Sequence, residues 1–167
     1  MFALRCTKPL LAKLGKLTPP GVGAEPEATT ALGDWYAHRV NVGRHRLVLC
    51  TNALTRLSVV VPAKDLPALP ARLVVSVALL LRRLGIPGSR IERELREMAW
   101  VRFGPTKDRS VIGTMNDFAW QLEFYLRDGS GSVQLSDVDW RLSECPCGPL
   151  KGDRPTQRVR AVLLGGG

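Results

Sequence analysis

RLVLCTNALTRLSVVVP, residues 46–62, decides how this chain is read. Two runs rich in leucine and β-branched residues, 46–52 and 56–62, are separated only by Ala53, Leu54 and Thr55, with Asn52 at the entry to the turn. Closely spaced β-forming runs of this kind predict a hairpin. Both runs are nearly continuous in apolar residues, so at least one strand is expected to be covered on both faces, with helices packed over the sheet.

Outward from the hairpin, residues 2–6 read as a first strand. Thr7 stands in capping position for a helix that carries Pro9 in its first turn and ends at Gly15. Residues 17–29, LTPPGVGAEPEAT, are punctuated by proline and glycine and predict an exposed connection. Thr30, then Leu32, Trp35, Tyr36 and Arg39 at three- and four-residue spacing, predicts a helix stopped by Asn41 and Gly43. Pro70 opens a helix over 71–84 that is apolar around most of its circumference and closes at Gly85. In SRIERELREM, Ser89 and Glu92 have capping-box spacing, and Ile91, Leu95 and Met98 share one stripe. The opposite face, with Arg90, Glu92, Arg93, Glu94, Arg96 and Glu97, reads as solvated and self-pairing. WVRF reads as one further short strand. A helix from Val111 or Thr114 to Leu126 follows, then a second capping box at Ser136 and Asp139, a Cys-Pro-Cys-Gly-Pro turn, and a last helix over 155–164. The fold class expected is α+β: a small, mainly antiparallel sheet of N-terminal strand, hairpin and one further strand, packed with about five helices. The length, 167 residues, suits one domain, with residues 127–167 as a C-terminal extension on or beside the core.

Composition narrows the function classes. Apolar residues make up 45% and charged ones 23%, ordinary values for a globular protein. The longest apolar run, residues 73–81, falls well short of the roughly 20 needed to span a bilayer, and the N-terminus carries no export pattern. A cytoplasmic protein with reduced thiols is therefore expected. Cys6 and Cys50 read as core residues; Cys145 and Cys147 lack redox or zinc-knuckle spacing, and no metal or cofactor is expected. The net charge of +9 favours nucleic acid or another polyanion as partner, although the arginines are dispersed and no nucleic-acid-binding motif accompanies them.

The stretch GPTKDRSVIGTMNDF, residues 104–118, supports two readings. In the structural one, Gly104 and Pro105 make a turn, Asp108 or Ser110 caps a helix, and Thr114 with Asp117 forms a capping box. In the functional one, Lys107, Arg109 and Ser110 precede a helix N-terminus and face an anion, without a P-loop or dinucleotide pattern.

The segments ALGDWYAHRVNVGRHRLVLCTNALT, VVVPAKDL and RSVIGTMNDF, in this order and spacing, resemble those of a family of small bacterial proteins catalogued as domain of unknown function 6933. The likeness runs from the first strand to about Leu126. His38 and Asp108 stand where asparagine is commoner in that family. The resemblance implies no activity, but it marks Asp34, Trp35, Asn52, Arg109, Ser110, Asn116 and Asp117 as characteristic, and these are the ligand-binding candidates. A non-catalytic binding or interaction module is the first reading. The alternatives are a small enzyme using the carboxylates Asp34 and Asp117, with Arg109 binding an anion and His38 oriented one helical turn from Asp34, and a purely structural role for the polar motifs.

Overall fold

The computed structural model describes residues 1–14, 25–127 and 133–165. The elements, in chain order, are β1 (Phe2–Cys6), α1 (Lys8–Leu14), β2 (Trp35–Val42), β3 (His45–Asn52), β4 (Ser58–Pro62), α2 (Leu69–Arg83), α3 (Gly88–Glu97), β5 (Val101–Pro105), α4 (Arg109–Arg127), α5 (Leu135–Ser143) and α6 (Pro155–Leu164). The five strands form one mixed sheet in the order β4-β3-β2-β1-β5. β2, β3 and β4 run antiparallel to one another, whereas β1 pairs in parallel with both β2 and β5. The class is α+β and most of the pairing is antiparallel, as the grouping of short strand runs among helices predicts. Of the expected exposed connection, residues 17–24 lie outside the described residues; residues 25–29 carry no regular element.

The predicted hairpin is present as β3 and β4, and residues 2–6 and 101–105 form the flanking strands. The helix expected from Thr30 to Arg39 is a strand instead. Trp35 and Ala37 point into one apolar layer and Tyr36 and Val40 into the other, so the segment is buried on both faces and its apolar residues satisfy strand and helix periodicity alike. Gly43, expected to stop a helix, takes φ +54° in the two-residue turn between Val42 and His45, a position in tight hairpins that favours glycine. Thr30 caps no helix; its hydroxyl donates to the Gly33 carbonyl.

Helices cover both faces. Leu10 and Leu14 of α1, Leu73, Val77 and Leu81 of α2, Ile91 of α3 and Val159 of α6 pack on one face. Val111, Met115, Phe118 and Leu122 of α4, with Val138 and Leu142 of α5, pack on the other. The expected capping box at Ser89 and Glu92 does not form, because α3 begins on the Pro87 carbonyl, which accepts from Arg90 N and Ile91 N. A larger correction concerns Glu94. It is buried, not solvated, and its carboxylate accepts the backbone N–H groups of Ala31 (2.7 Å) and Leu32 (3.0 Å). Burial pushes its pKa up and the two N–H groups pull it down. This contact fixes the chain just before β2.

Removing the carboxylate leaves the buried Leu32 N–H without a partner, a defect of ~1–3 kcal/mol. Glu94→Ala is expected to lower the unfolding free energy from urea titration by an amount in that range, and Glu94→Gln, which keeps one acceptor, by less. A near-zero effect of Glu94→Ala would show that the segment before β2 is held by other means.

Candidate functional site

β4 is an edge strand, and its outward-facing backbone must find partners other than a neighbouring strand. Pro62 has no N–H to expose. The N–H of Val60 donates to Asp139 Oδ1 at 2.7 Å, so the carboxyl of α5 stands where a sixth strand's carbonyl would. Asp139 is only 4% exposed, and burial pushes its pKa up to about 8 against the pull of the Val60 N–H. Burial thus favours the protonated form of this side chain. The capping box expected of Ser136 and Asp139 is absent, since Asp139 turns inward to the sheet edge.

Beside this contact, α2 and α5 part to leave a groove of about 620 Å³ along the β4 edge. Val60, Leu80 and Leu135 line it, together with Val75, Leu79 and Val133, which are 59%, 52% and 42% exposed. α2 was expected to be a core helix around most of its circumference; it instead presents Val75 and Leu79 outward, one turn apart, between Arg72 and Arg83. Both arginines are already engaged. Arg72 bonds the carbonyls of Pro62 and Lys64 and pairs with Asp65 at 3.7 Å. Arg83 pairs with Asp137 at 2.9 Å and lies over the Trp140 ring. The groove thus has apolar walls, a buried carboxyl in its floor and compensated charges at its rim.

The residues singled out from sequence fall elsewhere. Asp34 accepts Ala3 N (2.9 Å) on Oδ1 and Arg5 Nε (3.1 Å) on Oδ2, and Oδ2 also pairs with Arg5 Nη2 at 3.0 Å, tying the start of β2 to β1. Trp35 is fully buried, with its indole N–H unpartnered. Asn52 uses its whole amide internally: Nδ2 donates to the carbonyls of Leu32 (2.9 Å) and Asp34 (3.2 Å), while Oδ1 accepts from Leu54 N, Thr55 N and Thr55 Oγ1. Asp34 and Asn52 are brought together, but through the Asp34 backbone. His38 lies four residues along a strand from Asp34, about 13 Å at strand rise, so Asp34 does not orient it.

In residues 104–118 the structural reading accounts for most of the geometry, with changes of detail. Gly104 and Pro105 end β5 rather than making a turn. Asp108 caps α4, its Oδ1 accepting Ser110 N at 2.7 Å, while its own N–H donates to Tyr36 Oη at 3.1 Å. Ser110 Oγ accepts from Arg56 Nη2 at 3.1 Å. Arg56 is buried in the turn after Asn52 with φ +61°, and burial lowers its pKa. Thr114 lies inside α4, bonded to the Ser110 carbonyl, so the expected Thr114–Asp117 box does not form. Arg109, Asn116 and Asp117 are exposed and make no side-chain hydrogen bond or ion pair among the described residues. Asp117 lines a smaller cleft with Trp120, Pro146 and Cys147, and no bond links it to Asp34.

The four cysteines are free thiols. Burial pushes Cys6 up to about 12 and Cys147 up to about 11; Cys145 donates to Gln121 Oε1 at 3.2 Å. Among the described residues no group of three or more His, Cys, Asp or Glu could hold a metal ion, and no helix is long and apolar enough to cross a membrane.

The groove was missed in the sequence because Asp139 sits in a polar-looking stretch, SDVDW. Its one signal was position, beside Val138 and one turn before Leu142, on the apolar side of α5. The model of the family described as Domain of unknown function (DUF6933) matches residues 3–158, and the chain belongs to that family. No curated protein matches it.

A carboxyl whose pKa rises on folding binds its proton more tightly in the native state, so its contribution is complete below the unfolded value of 3.8 and fades as pH climbs towards about 8. Asp139→Asn keeps an acceptor for Val60 N–H and does not titrate. Its stability relative to the unmodified protein should rise across that window by on the order of a few kcal/mol, read as the difference between two melting-temperature profiles. A constant difference from pH 4 to pH 8 would mean that Asp139 is ionised throughout.

Proposed function

We propose that the protein is a non-catalytic binding module whose groove along β4 takes a small, largely apolar molecule bearing one hydrogen-bond-accepting group. The observation that carries this reading is a concavity of about 620 Å³ with Asp139 in its floor. That volume lies within the range of small-molecule sites, which are mostly apolar with a few convergent polar groups. A protonated carboxyl donates, which selects an acceptor on the ligand. An added peptide strand is disfavoured, since Val60 N–H is already taken and Pro62 offers none. An anionic head group is disfavoured too, because Arg72 and Arg83 are paired with Asp65 and Asp137.

The net charge of +9 supports a second reading, contact with nucleic acid or another polyanion. Retention on a heparin column that falls steeply with salt would carry it, and no retention at low salt would remove it.

Nile red, uncharged and with a carbonyl acceptor, is a suitable probe of the groove. Its fluorescence is expected to rise with the protein and to lose most of that rise in Leu79→Glu, whose side chain is half exposed and whose change spares the core. Trp120→Ala, at a 72% exposed site on another helix, serves as the control and should leave the signal intact. Equal signals from the protein and from Leu79→Glu would overturn the groove as the site.

A further inference from the structure

At the opposite end of the sheet, three cations from separate segments converge on one carboxylate. Arg5 projects from β1, Arg102 from the adjacent β5, and Lys107 from the connection to α4. Glu25 Oε2 accepts from Arg5 Nη2 at 3.1 Å and from Lys107 Nζ, and Glu25 Oε1 lies 3.5 Å from Arg102 Nη2. Arg5 is held in place by Asp34, which receives its Nε and Nη2. It is only 8% exposed, and its Nη1 is buried without a partner among the described residues. That nitrogen lies against Gly104 of β5, 3.6 Å from where a Cβ would stand.

The donors outnumber what one carboxylate uses. Two cations share Oε2, Oε1 has a single distant partner, and a buried guanidinium nitrogen on the same cluster has none. A planar carboxylate offers two oxygens to this set; a phosphate group offers three in a tetrahedral arrangement and carries more charge. Guanidinium groups fit phosphate oxygens closely. Lys107 and Arg5 hold the Glu25 carboxyl down at about 2, so it stays ionised at neutral pH. We infer that Arg5, Arg102 and Lys107 form a binding site for a phosphate group, with Glu25 as an intramolecular occupant that the ligand displaces. The site is independent of the groove on β4 and would stand if that reading failed.

A tethered occupant reduces apparent affinity by the fraction of time the site is open. Glu25→Gln keeps the size of the side chain and removes its charge. By isothermal titration calorimetry at fixed ionic strength, Glu25→Gln is expected to bind inorganic phosphate at least about tenfold more tightly than the unmodified protein. Adding Lys107→Ala, at a half-exposed position, should reverse most of that gain. Phenyl phosphate binding as well as inorganic phosphate would identify a phosphomonoester site, and inorganic phosphate alone a site for the free ion. If Glu25→Gln lowers the melting temperature without gaining phosphate affinity, the cluster is only a tie between residues 25–29 and the sheet, and the inference is wrong. Should that variant not fold, the unmodified protein gives the answer: phosphate must raise its melting temperature above chloride at matched ionic strength, and Lys107→Ala must abolish the difference. Equal melting temperatures in the two salts would overturn the site.

Discussion

A sheet that ends at β4 has to satisfy the outward N–H of Val60 in an apolar setting, and the rest of that side of the molecule follows from how it does so. No sixth strand is present among the described residues, so a side chain from α5 supplies the acceptor. Reaching Val60 buries the Asp139 carboxyl, and burial favours its protonated form. The same reach places α5 across the edge of the sheet, with Val138 and Leu142 in the layer under α4 and Trp140 against the layer under α2. α5 meets the edge strand through this hydrogen bond, and the space left between α2 and α5 along β4 is the groove. An apolar residue at 139 would pack equally well but would leave an unsatisfied N–H, at ~1–3 kcal/mol.

The same device recurs elsewhere: carboxylate and amide side chains do the work of backbone partners where the chain changes direction. Glu94 holds two N–H groups before β2, Asp34 holds Ala3 N at the start of the β1–β2 pairing, and Asn52 closes the turn between β3 and β4 with Oδ1 while Nδ2 ties that turn to Leu32 and Asp34. These contacts join segments far apart in sequence, and each is at least partly shielded from water, where a hydrogen bond is stronger and its loss costlier. Side chains so thoroughly engaged have little left to offer a ligand. The polar residues singled out from sequence are divided between internal ties, at Asp34, Asn52 and Ser110, and exposed side chains without a partner among the described residues, at Arg109, Asn116 and Asp117.

The division explains what could be read from the sequence. Strands β1, β3, β4 and β5 and helices α2, α3, α4 and α6 announce themselves because local pattern and tertiary environment agree there. β2 does not, since burial on both faces erases strict alternation and leaves Leu32, Trp35, Tyr36 and Arg39 at helical spacing by coincidence. The two-residue turn at Gly43 was the better signal, as it joins two β-rich runs into a meander. Glu94 and Asp139 were misread for a related reason. Each sits among other charges on a short helix, and only the position of the partner N–H, set by a distant strand or turn, tells that it faces inward. A site made by such a residue is invisible to composition and spacing until the fold is known.

The two ends of the sheet consequently have opposite electrostatic character. At β4 burial favours the neutral form of Asp139, the flanking arginines are paired and the walls are hydrocarbon, so desolvating a charged ligand there would go uncompensated. At β1 and β5 the parallel pairing sets Arg5 beside Gly104 in register, and the missing side chain at Gly104 lets a guanidinium lie over the neighbouring strand. Arg102, two residues earlier on β5, and Lys107 beyond its end then fall within reach of the same point. Charge gathers there because strand register brings the cations together, even though the arginines as a whole are dispersed along the sequence. One end of the sheet is thus lined by apolar side chains and the other carries a cluster of paired charges.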